Sequence, residues 1–185
     1  MDKITKMERI WNYVYYAIFN FLKQLYKLLS YIDPFRLIYK IPAIKKFYAK
    51  GGIDDMNKFT DDIIFNNKMS GLHSIWAGIQ MGGLLVFLEY GLFNILQAIL
   101  GKSLIQLVWQ PGNPYKWIFI IGFLIIPWII NEQLLFKNEK YLKYFEEFDK
   151  ETKKVKRKWA WISFGIIIGI LTFFVLSFVP LSKIY

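Results

Sequence analysis

Three long apolar blocks, separated by polar and basic stretches, dominate the pattern along the chain. They cover residues 72–100, 117–136 and 159–180. A helix of about 20 apolar residues crosses the hydrocarbon layer of a bilayer, so each block predicts a membrane-spanning helix. The block at 72–100 is longer than an upright span requires, and such a helix must tilt, kink or protrude.

The region before these blocks predicts shorter amphipathic helices. Apolar positions in residues 9–32 have helical spacing, but the opposite face is polar and includes Lys23 and Lys27. Because charged side chains are costly in lipid, this pattern predicts a helix lying in the membrane interface. The alternative is a fourth span whose polar face is turned toward neighbouring helices. Asp33-Pro34 ends this helix.

Residues 53–67 predict another short amphipathic helix. We therefore expect an interfacial N-terminal region at 1–70 and a membrane domain at 71–185. The predicted fold class is an all-α integral membrane protein with three spans, an N-terminal interfacial helix and a basic cytoplasmic helix at 137–158.

Composition narrows the chemistry. The chain has 55% hydrophobic and 21% charged residues, a single His and no Cys. These values exclude a soluble globular enzyme, a disulfide scaffold, a zinc–cysteine site and a thiol nucleophile. Neither a serine-nucleophile elbow nor a phosphate-binding glycine loop stands in the sequence. We therefore expect no catalytic residue, no cofactor and no metal.

The distribution of basic residues predicts the orientation. Of the 24 lysines and arginines, 21 lie in residues 1–70 and 137–158, and the others are Lys102, Lys116 and Lys183. Basic loops mark the cytoplasmic side, so the N-terminus is predicted inside and the C-terminus, at Tyr185, outside. The Lys-, Ile-, Phe- and Tyr-rich composition favours a bacterial inner membrane.

The charged segment at 137–158 carries acidic residues four positions before basic ones, which favours a helix. It could extend the second span without a break. Its last part is a basic run that predicts contact with anionic lipid, although such a run is also a common topology signal. The run contains Lys153, Lys154, Lys156, Arg157 and Lys158. No nucleic-acid motif accompanies it, so nucleic acid is not an expected partner.

Few residues could carry chemistry. Glu89 lies deep in the first block, where a carboxylate must face other helices or water; it is either a structural acid or a pore-lining group. Glu132 is closer to the end of the second block, so we expect it to lie near the lipid headgroups at the end of that helix. The lone His73 predicts no metal site. The remaining candidates are two acidic pairs on one predicted helix face, which suggest a solvated surface or a cation site: Asp54, Asp55, Asp61 and Asp62.

Small residues recur at intervals of four in two of the blocks. The first block contains Ser74, Gly78 and Gly82, and the third contains Gly165 and Gly169. Such ladders allow helix backbones to approach closely in lipid. They lie at matching distances from the start of their blocks, which predicts that they pack against each other or against a second copy.

The favoured function is a non-catalytic subunit or scaffold of an oligomeric or multi-protein membrane complex. Its expected partners are membrane lipids and either itself or other membrane subunits. A pore or ion-conducting assembly that uses Glu89 is the alternative, followed by a lipid-processing enzyme that uses the acidic pairs and His73.

Overall fold

In a computed structural model, which describes residues 3–183, every regular element of those residues is helical. Three helices are long and apolar enough to cross a membrane. The predicted all-α class with three membrane-length helices is confirmed at this level. The predicted outside position of Tyr185 concerns a residue outside the described range.

The N-terminal helices follow the predicted breaks. Helix α1 spans Lys3–Leu29, α2 spans Pro34–Ile38 and α3 spans Pro42–Lys50. The carboxylate of Asp33 accepts a hydrogen bond from the Phe35 N–H at 2.9 Å, and Pro34 occupies the first helical position. An acidic cap and a proline at that position both favour a helix start. The segment predicted at 53–67 is α4, Met56–Phe59, continued by a π-helical turn, Thr60–Phe65.

The long helices come next. Helix α5 spans Leu72–Leu100, with the predicted bounds. A short helix α6, Leu104–Val108, precedes α7, Tyr115–Asn131, which continues as a π-helical turn, Glu132–Phe136. Gly101 directly follows α5 with φ of +60°, a conformation in which glycine commonly ends a helix.

The charged segment differs from its prediction. It is not a continuous extension of the second span, because Asn138 and Glu139 both have positive φ and interrupt the helix. Helix α8 covers only Lys140–Lys150. The Thr152 hydroxyl then caps α9, Lys153–Leu176, so the basic run forms the first turns of the third long helix. Helix α10, Phe178–Leu181, follows.

The described chain divides into two compact units. One contains residues 15–79, and the other contains the residues up to Val14 together with those from Gln80 onward. Helix α1 is therefore divided between the two units after Val14, and α5 is divided after Ile79.

Within that larger unit, the part of α1 up to Val14 packs on residues of α8 and α9. The Tyr13 ring stacks on Phe148 at 3.5 Å and on Trp159 at 4.4 Å between ring centroids. Burial and the nearby Glu151 carboxylate raise the pKa of Tyr13. Arg9 forms an ion pair with Glu147 at 2.8 Å. The stacked aromatic rings and this ion pair together stabilise the packing of α1 on α8 and α9.

Side chains also satisfy the backbone at the end of the second long helix. The Asn12 amide donates to the Leu134 carbonyl at 2.9 Å, and the Lys140 ammonium donates to the Gln133 carbonyl at 2.9 Å. The Trp11 indole N–H donates to the Asn131 side chain at 3.0 Å. The last carbonyls of a helix have no partner within it, so these contacts complete the hydrogen bonding where the π-helical turn ends.

Candidate functional site

The two small-residue ladders do not occupy equivalent positions. A methyl group added at Gly165 or Gly169 would meet no atom of the described residues within 4 Å, so both glycines of α9 face open space within this part of the chain. A methyl group at Gly82 would lie 3.8 Å from the Asn131 amide nitrogen, an ordinary contact. The α9 ladder is therefore free to contact another chain, and its packing role stays a prediction.

In the small-residue ladder of α5, Ser74 also contacts another helix. Its hydroxyl lies 2.7 Å from the Tyr15 hydroxyl, and its carbonyl accepts from the same hydroxyl at 3.1 Å. Both residues are buried in the unit of residues 15–79. Ser74 thus joins α1 and α5 within that unit through a hydrogen bond.

A third glycine, which the ladder pattern did not identify, marks the close approach between α5 and α9. A methyl group at Gly91 would lie 2.6 Å and 2.9 Å from two ring carbons of Phe173. Three residues farther along α5, the Asn94 amide donates to the Ser177 hydroxyl at 3.0 Å, and both side chains are buried. The sequence offered Gly91 and Asn94 as signals, but neither belongs to a repeated motif.

The two acids in the long apolar segments, Glu89 and Glu132, lie in different surroundings. The Glu89 Oε2 atom is buried and has no hydrogen-bond partner among the described residues. Glu132 is half-buried at the start of the π-helical turn. The structure thus leaves a polar atom of Glu89 unsatisfied, which is costly inside a protein and more so in lipid.

The acidic pairs have individual structural contacts. Asp55 caps α4 by accepting from the backbone N–H groups of Asn57 and Lys58, and Asp61 pairs with Arg36. His73 is buried against aromatic rings, with its ring centroid 5.3 Å from Tyr26 and 5.6 Å from Phe65. Asp54 and Asp62 are exposed, and the described residues contain no cluster of three or more potential metal-ligating side chains.

The contact of Asp61 belongs to a cluster that the sequence did not reveal. The Arg36 guanidinium donates to Asp61 and also to the Tyr26 hydroxyl at 3.2 Å, while the Tyr26 hydroxyl donates to Asp61 at 3.1 Å. The Tyr26 ring stacks on Phe65 at 4.0 Å. Burial raises the pKa of Tyr26 above its ordinary value, so the phenol stays protonated and remains a donor. The cluster therefore connects α1, α2 and the π-helical turn Thr60–Phe65.

This cluster lies in the wall of a cleft of about 650 Å³ within the unit of residues 15–79. We call it the basic cleft; its charged lining consists of Lys23, Lys27, Arg36 and Lys40 against Asp33 and Asp61. The Ser30 hydroxyl and four amide side chains add to the polar lining; the amides are Asn20, Gln24, Asn57 and Asn66. The cleft is open to solvent and combines cationic groups with hydrogen-bonding groups.

The basic run lies at a helix N-terminus. Lys153, Lys154, Arg157 and Lys158 are exposed, and the Lys156 ammonium donates to the Asp149 carbonyl at 2.9 Å. Cations near a helix N-terminus oppose the helix dipole. The charges therefore do not serve the stability of α9, and their contact with anionic lipid stays a prediction.

No family model, curated protein sequence or solved structure matches the chain.

Proposed function

We propose that the protein is a non-catalytic, polytopic membrane protein that acts as a subunit or scaffold of an oligomeric or multi-protein membrane complex. The observation that supports this most directly is the uncovered face of α9. Only 11% of the apolar part of this helix is buried within the chain, whereas 28% of the apolar part of α5 is buried. Two glycines one turn apart, Gly165 and Gly169, lie on this face with open space in front of them.

The glycines distinguish this face from one that only meets lipid. A glycine in the interior of a helix lowers helix stability by about 1 kcal/mol relative to alanine. Packing against lipid acyl chains does not compensate for this loss. A second helix gains close backbone contact at such positions, which drives association in a bilayer. The exposed side chains of Trp161, Phe164 and Ile168 flank the glycines and supply dispersion contacts at the edges of this surface.

The test is the size of the assembly in bilayers. Gly165→Leu and Gly169→Leu should each reduce association between labelled copies in liposomes, measured by energy transfer. Gly122→Leu is the matched control, because Gly122 lies in a long apolar helix and also faces open space but belongs to no small-residue ladder. A wild-type protein that stays monomeric and co-purifies with no other subunit would refute the proposal.

A second candidate is a pore or ion-conducting assembly, and the buried, unpartnered Glu89 Oε2 favours it. If several copies of the chain enclose a pore, a Glu89 carboxylate that faces the pore lumen would attract cations and so set the ion preference. Glu89→Gln should then abolish cation preference in liposome flux while the oligomer remains intact. Absence of any flux through the wild-type protein would leave Glu89 as a structural acid.

For the orientation, we propose a cytoplasmic N-terminus, an external C-terminus and a bacterial inner membrane as the location. The concentration of 21 of the 24 basic residues in residues 1–70 and 137–158 supports this arrangement. Helix α1 would then lie at the cytoplasmic interface, since it is not among the three helices of membrane-spanning length and composition.

A further inference from the structure

The basic cleft contains uncompensated positive charge. Its lining has four cationic side chains against two carboxylates, a formal net charge of +2. Arg36 is paired with Asp61, whereas the Asp33 carboxylate accepts from the Phe35 backbone N–H and has no ion pair among the described residues. Among the residues that the structure describes, Lys23, Lys27 and Lys40 have no ion pair. Three ammonium groups around one cleft repel each other, so the arrangement favours an anion between them.

The polar groups of the cleft residues fit a phosphate with hydroxyl groups attached. Within residues 3–183, the buried Arg36 Nε–H has no hydrogen-bond partner, which leaves a donor of the kind that binds phosphate oxygens. The side-chain oxygens of Asn57 and Asn66 are also buried and unpartnered, which leaves acceptors for hydroxyl groups. Buried polar groups normally have hydrogen-bond partners, so these three groups of cleft-lining residues retain unused hydrogen-bonding capacity.

Apolar side chains beside the cleft distinguish a lipid from a soluble anion. The end of α1, the following turn and α2 expose a run of large apolar residues at the same part of the chain. These residues are Leu28, Leu29, Tyr31, Ile32, Phe35 and Leu37, of which Tyr31 and Leu37 line the cleft itself. A free phosphate ion has no apolar part that could pack on this surface, whereas the acyl chains and glycerol carbons of a lipid can pack on it.

We propose that the basic cleft is a binding site for the phosphate headgroup of an anionic phospholipid. Lys23, Lys27 and Lys40 supply the charge, Arg36 a directed donor, and the asparagine amides contacts to headgroup hydroxyls. No residue of the basic run at 153–158 lines the cleft, and the proposal does not rest on the proposed assembly through α9. Its chemistry is shared with free phosphate, and the apolar run favours the lipid.

The experiment uses the full chain in neutral detergent, titrated with water-soluble dioctanoyl phosphatidylglycerol by calorimetry. Dioctanoyl phosphatidylcholine and inorganic phosphate are titrated in parallel. The test variant is the triple substitution Lys23→Gln, Lys27→Gln and Lys40→Gln. The matched control removes three exposed lysines of the same unit that do not line the cleft: Lys46→Gln, Lys50→Gln and Lys58→Gln.

The wild-type protein should bind phosphatidylglycerol more tightly than either comparison ligand. Each cleft lysine should contribute about fivefold in affinity, so the cleft variant should lose about 100-fold. The control variant should change affinity by no more than about twofold, because its lysines do not line the cleft and exposed charges are screened by salt. Lys27→Gln alone, with an expected loss of about fivefold, provides the same test if the triple variant does not fold.

Equal losses in the two triple variants would overturn the proposal, since they would indicate general electrostatic attraction. Inorganic phosphate that binds as tightly as phosphatidylglycerol would overturn the lipid assignment and identify a soluble anion site. Phosphatidylcholine that binds equally well would show that the charge of the cleft is irrelevant.

Discussion

The close approach of α5 and α9 at Gly91 provides the sharpest test of the packing. In Gly91→Ala the new methyl group would lie 2.6 Å from a ring carbon of Phe173. Carbon atoms without a bond between them prefer about 3.5 Å or more, so the ring must move by about 1 Å. Forcing extra volume into a packed site costs typically 1–3 kcal/mol.

Alanine also stabilises a helix relative to glycine by about 1 kcal/mol, which would mask part of this cost. Gly122→Ala supplies the correction, because a methyl group there meets no atom within 4 Å. The free energy of unfolding of Gly91→Ala should therefore be lower than that of Gly122→Ala by about 1–3 kcal/mol.

The assay is unfolding by sodium dodecyl sulfate in mixed micelles, followed by the fluorescence of the seven tryptophans. Phe173→Leu in the Gly91→Ala background should relieve the clash, so that the two substitutions together cost less than the sum of their separate effects. If Gly91→Ala is as stable as Gly122→Ala, the described contact between α5 and α9 is wrong.

Three further predictions concern other contacts. Asn12→Ala should destabilise the protein by about 1–3 kcal/mol in the same assay, because it leaves the Leu134 carbonyl without its donor; an unchanged stability would refute that role. Asp61→Asn should cost up to about 1 kcal/mol, since its pair with Arg36 is partly exposed, whereas the exposed Asp62→Asn should be neutral. Reporter fusions at the two ends of the chain should give opposite sides of the membrane; equal sides would mean that the number of spans is even.

The long apolar helices could be predicted from the sequence because their signal is local. The bounds of α5 match the apolar block at 72–100, since the burial of a membrane helix depends on composition over its own length. The apolar block at 159–180 does not predict the start of α9, because the first turns of this helix are formed by the charged residues 153–158. Thr152 was the available signal, as threonine before a helix is a common cap.

The basic cleft could not be predicted in this way. Its main ion pair joins Arg36 and Asp61, which are 25 positions apart and lie on different short elements. Helical periodicity assigns each residue to a face but does not say which faces meet. The same limit applies to Gly91, whose partner Phe173 comes from another helix.

The hydrogen bonds of the first helix have a consequence for biosynthesis. Trp11 and Asn12 are made early, but their partners Asn131 and Leu134 follow 120 and 122 residues later. At about 5–20 residues per second, the ribosome needs on the order of ten seconds to supply them. During that time the buried Asn12 amide and the Tyr13 ring lack their final neighbours. Phe148 and Trp159, on which the Tyr13 ring stacks, come later still. The beginning of the chain therefore completes its contacts only after most of the chain has been made, and a chain released earlier should be a substrate for quality-control proteases.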